Sequence, residues 1–269
     1  MTSLPTSAAN KLIVLVLGAG PGTGFAVARR FAQAGHPVGL LSRTAANLEP
    51  LVKSINSELA SSSSNKFPEA KAFVADATNA ESVRKAVADA SGSWGPDAKL
   101  WGGVLNTTGF LKKPFLDLTE DDVRGQFDTQ VLGLLNFGQA IIKPITAGTT
   151  TSVLPSPSTA AGFVFVTGAT ASMKGGAQFG GFAASKFAVR AMAQSMAREF
   201  GPQGIHVAHI QIDGIIRTDR TIKMIGKEPE DKDSWLNPDD IAETYFALAQ
   251  QRRSAFTAEI DIRPHGETF

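Results

Sequence analysis

Leu12-Ile13-Val14-Leu15-Val16-Leu17-Gly18-Ala19-Gly20-Pro21-Gly22-Thr23-Gly24 decides the fold of this chain. Six consecutive apolar residues predict a strand buried on both faces, as in the middle of a parallel sheet. The glycines that follow predict a sharp turn, and helical spacing resumes at Phe25, Ala28 and Phe31. A strand, a glycine turn and a helix N-terminus in this order present free N–H groups and a positive dipole end to an anion such as a pyrophosphate.

Outward from this unit, strands and helices alternate. Strands are expected at Pro37–Leu41, Ala70–Ala75, Leu100–Asn106, Phe163–Val166, Ile205–Ile212 and Ala258–Ile262. Helices are expected at Asn47–Leu59, Ala80–Ala90, Asp121–Lys143, Gly180–Phe200 and Pro238–Gln251. Ser61–Asn65 and Pro144–Ala161 read as polar loops. Right-handed crossovers between such units give an open, doubly wound parallel sheet in a single α/β domain spanning 12–269, preceded by a flexible segment, 1–11.

Composition narrows the chemistry. The 269 residues are 43% hydrophobic and carry a net charge of +1, with no dense basic cluster, so a nucleic-acid surface is not expected. The absence of cysteine excludes disulfides and thiolate chemistry. His36, His206, His209 and His265 lack metal-ligand spacing, and His206 and His209 read as packing residues of a strand. No metal is expected. With no signal-like start or membrane-length apolar run, a soluble cytoplasmic protein without membrane association is expected.

The spacing Gly18-x3-Gly22-x-Gly24 resembles the short-chain dehydrogenase/reductase family, although Leu17 stands where the family usually has Thr. Further landmarks follow in order: Asp76-Ala77, Asn106-Thr107-Thr108-Gly109, Ser185-Lys186 and the Asp213-Gly214 turn running to Ile216 and Thr218. The resemblance implies a Rossmann-type sheet of seven strands in the order 3-2-1-4-5-6-7. It also implies that Gly18, Gly20, Pro21, Gly22, Thr23 and Gly24 cradle a pyrophosphate. Asp76 and Ala77 would meet the adenine, and Asn106, Thr107 and Thr108 would line the cofactor. Lys186 would hold the nicotinamide ribose, with Ile216 and Thr218 at the carboxamide and nearby phosphate. The family also pairs the helices matching Asp121–Lys143 and Gly180–Phe200 into homodimers or homotetramers.

The second strand ends Leu41-Ser42-Arg43 with no acidic residue. An acid there would repel a 2′-phosphate, whereas Ser42 can hydrogen-bond it and Arg43 can pair with it, so NADP(H) is the expected cofactor.

The acid is where the pattern departs. The family protonates its product with a tyrosine four residues before the lysine, and here that residue is Phe182. An alternative spacing, seven before, gives Phe179, and the chain's one tyrosine, Tyr245, lies elsewhere. Thirteen before Phe182, at the serine position, stands Ala169, with Thr167, Thr170 and Ser172 nearby. Thr170 can take the serine's part, and Gln130 stands at the family's asparagine. Phe182, the Thr167–Ser172 stretch and the Asp213-Gly214 turn together resemble an atypical branch of the family.

Three readings follow. In the leading one, hydride passes from NADPH to an activated C=N, C=C or C=O bond of a small molecule, with Lys186 as stabiliser and Asp213 or Thr170 as helpers. Asp213 is then a replacement acid or a counter-ion, or else it caps its turn or pairs with Arg217 or Arg220. In the second, the nucleotide is structural, and Phe110, Phe179 and Phe182 shape a pocket for cyclisation or isomerisation. In the third, the protein is a catalytically silent NADP(H)-binding regulator. Asp219–Trp235 resembles the variable substrate lid, and Arg263–Glu267 is a mixed-charge end suited to a partner subunit.

Overall fold

A computed structural model describes residues 12–61, 68–107, 109–149 and 159–267. The first strand, β1 (Leu12–Leu17), is buried at all six positions. Its alternate residues feed two separate apolar clusters: Leu12, Val14 and Val16 face one way, and Ile13, Leu15 and Leu17 the other. Period-two geometry with a covered sheet on both sides therefore explains the unbroken apolar run.

The first cluster is completed by α1 (Thr23–Gln33), α2 (Ala45–Ser61) and α8 (Pro238–Ala249). The second is completed by α3 (Ala80–Ser91), α5 (Gly133–Pro144) and α6 (Gly180–Phe200). Between them lie β2 (Val38–Ser42), β3 (Lys71–Val74), β4 (Lys99–Leu105), β5 (Gly162–Thr167), β6 (Ile205–Ile212) and β7 (Glu259–Ile262). All pairings are parallel, in the order β3-β2-β1-β4-β5-β6-β7. The register aligns Leu17 with Leu41 and Leu105, and Leu105 with Val166. Gly18, Ser42, Asn106, Thr170 and Asp213 consequently emerge along one edge, the carboxyl ends of the strands, where open α/β sheets bind ligands.

The long helix expected at Asp121–Lys143 is present as a continuous helical run with one π-turn inside it. Thr119 and Asp122 form a reciprocal cap for α4 (Glu120–Phe127), a π-helical turn follows at Asp128–Leu132, and α5 begins at Gly133. The wider turn lets polar Gln130 lie buried, at 1% exposure, in reach of α6. The lid segment contains a short helix, α7 (Asp219–Ile225), capped by Thr218. Of the two expected polar loops, 62–65 and 150–158 lie outside the described residues, as do the expected N-terminal segment 1–11 and Thr108. Ser61 instead closes α2, and Thr159 makes a β-bridge to Arg252. No helix among the described residues is long and apolar enough to cross a membrane.

Candidate active site

The glycine loop is locked between β1 and β4. Gly18 has φ +89°, and a Cβ there would stand 2.6 Å from the Asn106 carbonyl carbon. Asn106 in turn donates from Nδ2 to the Gly18 carbonyl at 3.2 Å. Gly22, the N-cap of α1, has φ +151°, and its missing side chain leaves Thr218 Cγ2 3.1 Å from where a Cβ would be. The close approach joins the first turn of the fold to the segment after β6.

This cradle fits a pyrophosphate. No side chain caps α1, and its first turn holds no acidic residue. A Cβ on Gly20 would meet nothing within 4 Å. Thr23 Oγ1 is buried at this helix start with no hydrogen-bond partner. The free donors and open backbone are those an anion at a helix N-terminus requires.

The neighbouring expected contacts lie on the same edge. Asp76 Oδ1 accepts from the backbone N–H and hydroxyl of Thr78, both at 2.9 Å, which fixes the carboxylate beyond β3. The Ala77 carbonyl accepts from Asn136 Nδ2 at 2.9 Å. A Cβ on Gly133 would come within 3.9 Å of Thr107 Oγ1, so α5 starts beside the turn after β4. Ser42 is half-buried and donates to the Thr44 carbonyl at 3.3 Å, while Arg43 is exposed. The Ile216 carbonyl accepts from Thr221 Oγ1 at 2.6 Å, which ties the β6 exit to α7.

Lys186 lies 3% exposed on α6 and donates from Nζ to the Thr167 carbonyl at 2.9 Å. Burial pushes its pKa down from 10.5 to about 8. One turn away, Phe182 is buried, with its ring centroid 6.0 Å from Lys186 Nζ. Phe110 stands 5.7 Å from both Phe179 and Phe182, so three rings make one apolar wall. Phe110 is half exposed, and Phe115 and Leu116 are largely exposed.

The chain's one tyrosine lies elsewhere. Tyr245 belongs to the cluster on the other face of the sheet from the α6 core residues Val189 and Ala193. Its hydroxyl is buried against Thr167 Oγ1 at 2.8 Å, and burial pushes its pKa up.

Thr170 Oγ1 donates to Asp213 Oδ1. Asp213 does not pair with Arg217 or Arg220. Arg217 bonds Glu228 at 3.1 Å, and Asp213 Oδ2 takes Arg263 Nη2 at 3.0 Å and Gln211 Nε2 at 3.5 Å. Arg263 shares its Nη2 between Asp213 and Asp261. It follows β7, which pairs with β6, and that pairing brings it to Asp213.

Gln130 Nε2 reaches Ser185 Oγ at 3.1 Å and Gln126 Oε1 at 3.4 Å, while Gln130 Oε1 is buried without a partner. Gln126 and Gln211 are the site neighbours that sequence reasoning missed, as were the partners of Ser185 and Arg263. Those partners, Gln130 and Asp213, are remote in sequence, so no local spacing signals the contacts. His206 and His209 are core residues of β6 as expected, with His206 stacked on Phe256 at 4.3 Å and His209 Nε2 3.2 Å from Ser172 Oγ. No cluster among the described residues has the make-up of a metal site.

Known proteins share this fold. D-erythrulose reductase of Gallus gallus is 30% identical over 193 residues, which is 72% of this chain and 67% of the relative. A short-chain dehydrogenase from Rhodopseudomonas palustris superposes with a TM-score of 0.72 at 30% identity, over 95% of this chain and 99% of that one. An NADPH-bound short chain oxidoreductase from Pseudomonas aeruginosa PAO1, containing an atypical catalytic center, gives a TM-score of 0.80 over 96% and 97% of the two chains. Its identity is 15%, so that likeness is one of fold alone. The short chain dehydrogenase family matches residues 12–228, and with this sheet order and glycine loop the chain belongs to that family of oxidoreductases.

Proposed function

We propose that the protein binds NADP(H) and reduces an activated C=N, C=C or C=O bond of a small organic molecule without a tyrosine acid. The observation that carries this reading is a buried, desolvated Lys186 beside Phe182, in a chain whose single tyrosine is locked on the opposite face of the sheet. A reduced nicotinamide supplies hydride when bound.

The chain's own groups divide the remaining work. The backbone of Gly18, Gly20, Pro21, Gly22, Thr23 and Gly24 receives the pyrophosphate. Asp76 and Ala77 border the adenine, and Asn106 and Thr107 line the path to the ribose that Lys186 holds. Ile216 and Thr218 close the carboxamide side. Ser42 and Arg43 favour a 2′-phosphate because no acid opposes it. Gln130, through Ser185, steadies the helix that carries Lys186. Phe110, Phe179 and Phe182 exclude water and give no proton, while the Lys186 ammonium stabilises negative charge as it develops. A protonated C=N group needs no acid at all. When its carbon accepts hydride, the π pair settles on nitrogen and a neutral amine leaves. The reductase activity named for the Gallus gallus relative supports the reductive direction.

NADPH oxidation against cyclic imines, enones and simple ketones tests this. Turnover is expected on imines or enones and not on simple ketones. Phe182→Tyr, which restores a phenol above Lys186, is expected to raise ketone turnover by about 10²-fold or more, the usual worth of a placed acid. Ketone turnover by the unaltered chain at the imine rate would refute the missing-acid argument. Tight NADPH binding with no oxidation of any substrate would refute the redox reading.

A further inference from the structure

The direction of one hydrogen bond sets the polarity of the substrate pocket. A threonine hydroxyl owns one proton and two lone pairs. The Thr170 proton is committed to Asp213 Oδ1. Asp213 is 7% exposed and pairs with Arg263 Nη2 at 3.0 Å. With the Arg263 guanidinium on Oδ2 and the Thr170 hydroxyl on Oδ1, both Asp213 oxygens face donors. Gln211 Nε2, at 3.5 Å from Oδ2, adds another donor on the Arg263 side of the group. Thr170 itself is half-buried in the turn between β5 and α6, at the sheet edge that carries the cradle. Whatever enters beside it meets oxygen lone pairs.

This is the reverse of the polarity a ketone needs. A carbonyl oxygen would face an acceptor, or would have to pull the Thr170 proton away from a charged partner. We infer that the reacting group presents an N–H donor to Thr170 Oγ1, so that a protonated C=N group is the substrate class this site takes. The inference rests on the hydride-transfer reading and narrows it. Thr170 touches the substrate, while Asp213 and Arg263 are positioning residues that hold the hydroxyl rotor.

The walls agree with a cationic guest. Phe110, Phe179 and Phe182 form a continuous aromatic surface, and two of these rings already attract ammonium groups, Lys112 at 5.8 Å from Phe179 and Lys186 at 6.0 Å from Phe182. The opposing charge is Lys186, whose pKa burial has pushed down to about 8. Arg263 sits on the other carboxylate oxygen from Thr170, so its charge is not between Thr170 and the guest.

The test is calorimetric titration of the full chain, saturated with oxidised cofactor, at neutral pH. The probes are 2-phenylpyrrolidine, a cation with N–H donors, and 2-phenyltetrahydrofuran, its neutral isostere with an acceptor only. The amine is expected to bind at least about tenfold tighter, the scale of one hydrogen bond to a charged group. Thr170→Val is expected to reduce this preference to about twofold or less, and Thr170→Ser to keep it. Cofactor affinity and melting temperature of the Val variant report whether it has folded. Equal or tighter ether binding, an undiminished preference in Thr170→Val, or no measurable amine binding would each overturn the inference. NADPH oxidation with 2-phenyl-1-pyrroline separates the two claims. Selective amine binding without oxidation would remove the hydride reading and leave the pocket polarity standing. Oxidation without amine preference would do the opposite.

Discussion

Lys186→Met should stabilise the empty protein near neutral pH, and the gain should fade as pH rises. Lys186 is 3% exposed, and its ammonium donates to the Thr167 carbonyl at 2.9 Å. Desolvation moves its pKa from 10.5 to about 8. At ~1.4 kcal/mol per pH unit, keeping the proton in the folded state costs about 3 kcal/mol at pH 7. Below about 8 both folded and unfolded chains hold the proton, so the cost is present in full. Between about 8 and 10.5 the folded chain has released it and the unfolded chain has not, so wild-type stability rises with pH through that window. Removing the Thr167 hydrogen bond costs roughly 1–3 kcal/mol at every pH and offsets part of the gain. The difference between two pH values cancels that constant. Urea denaturation of both proteins at pH 7 and pH 9.5 should show the advantage of the Met variant shrinking by about 2 kcal/mol. The same stability difference at both pH values would refute the claim that Lys186 is a desolvated cation held for function.

Two further substitutions separate structure from chemistry. Tyr245→Phe removes the bond to Thr167 Oγ1 at 2.8 Å and should lower stability by about 1 kcal/mol in urea, with kcat unchanged within about twofold. A kcat loss beyond about tenfold would return this tyrosine to the chemistry. Ser42→Asp places a carboxylate at the end of β2 and should weaken NADPH at least about tenfold while sparing NADH, read by fluorescence titration. Unchanged NADPH affinity would mean that the 2′-phosphate is held elsewhere.

The sheet was legible because its signals are local. Each buried strand carries its own apolar run, and Gly18 through Gly24 announce the turn within seven residues. The π-turn at Asp128–Leu132 was not legible, because it inserts a single residue into an otherwise continuous helix and no residue type announces it. What marks it is the buried pair Gln126 and Gln130, whose meaning depends on Ser185 from another helix. The cofactor residues likewise sit at strand ends, which sequence order locates directly.

The polarity of the reaction site is a different kind of property. Thr170, Asp213 and Arg263 come from three separate strand ends, and their sequence allows the carboxyl group to be an acid, a cap or a counter-ion. The pairing of β6 with β7 brings Arg263 to Asp213, an ion pair that no local spacing announces. With the guanidinium on its other oxygen, Asp213 accepts the Thr170 hydrogen bond, and the hydroxyl that could have donated to a carbonyl presents its lone pairs instead. Loss of the phenol at Phe182 and reversal of Thr170 then point the same way. A ketone needs a proton donor at oxygen, which neither Phe182 nor a Thr170 hydroxyl bonded to Asp213 supplies, whereas a protonated imine brings its own proton and finds an acceptor for it. Two departures from the family pattern that each look like a defect are, taken together, consistent with one substrate class.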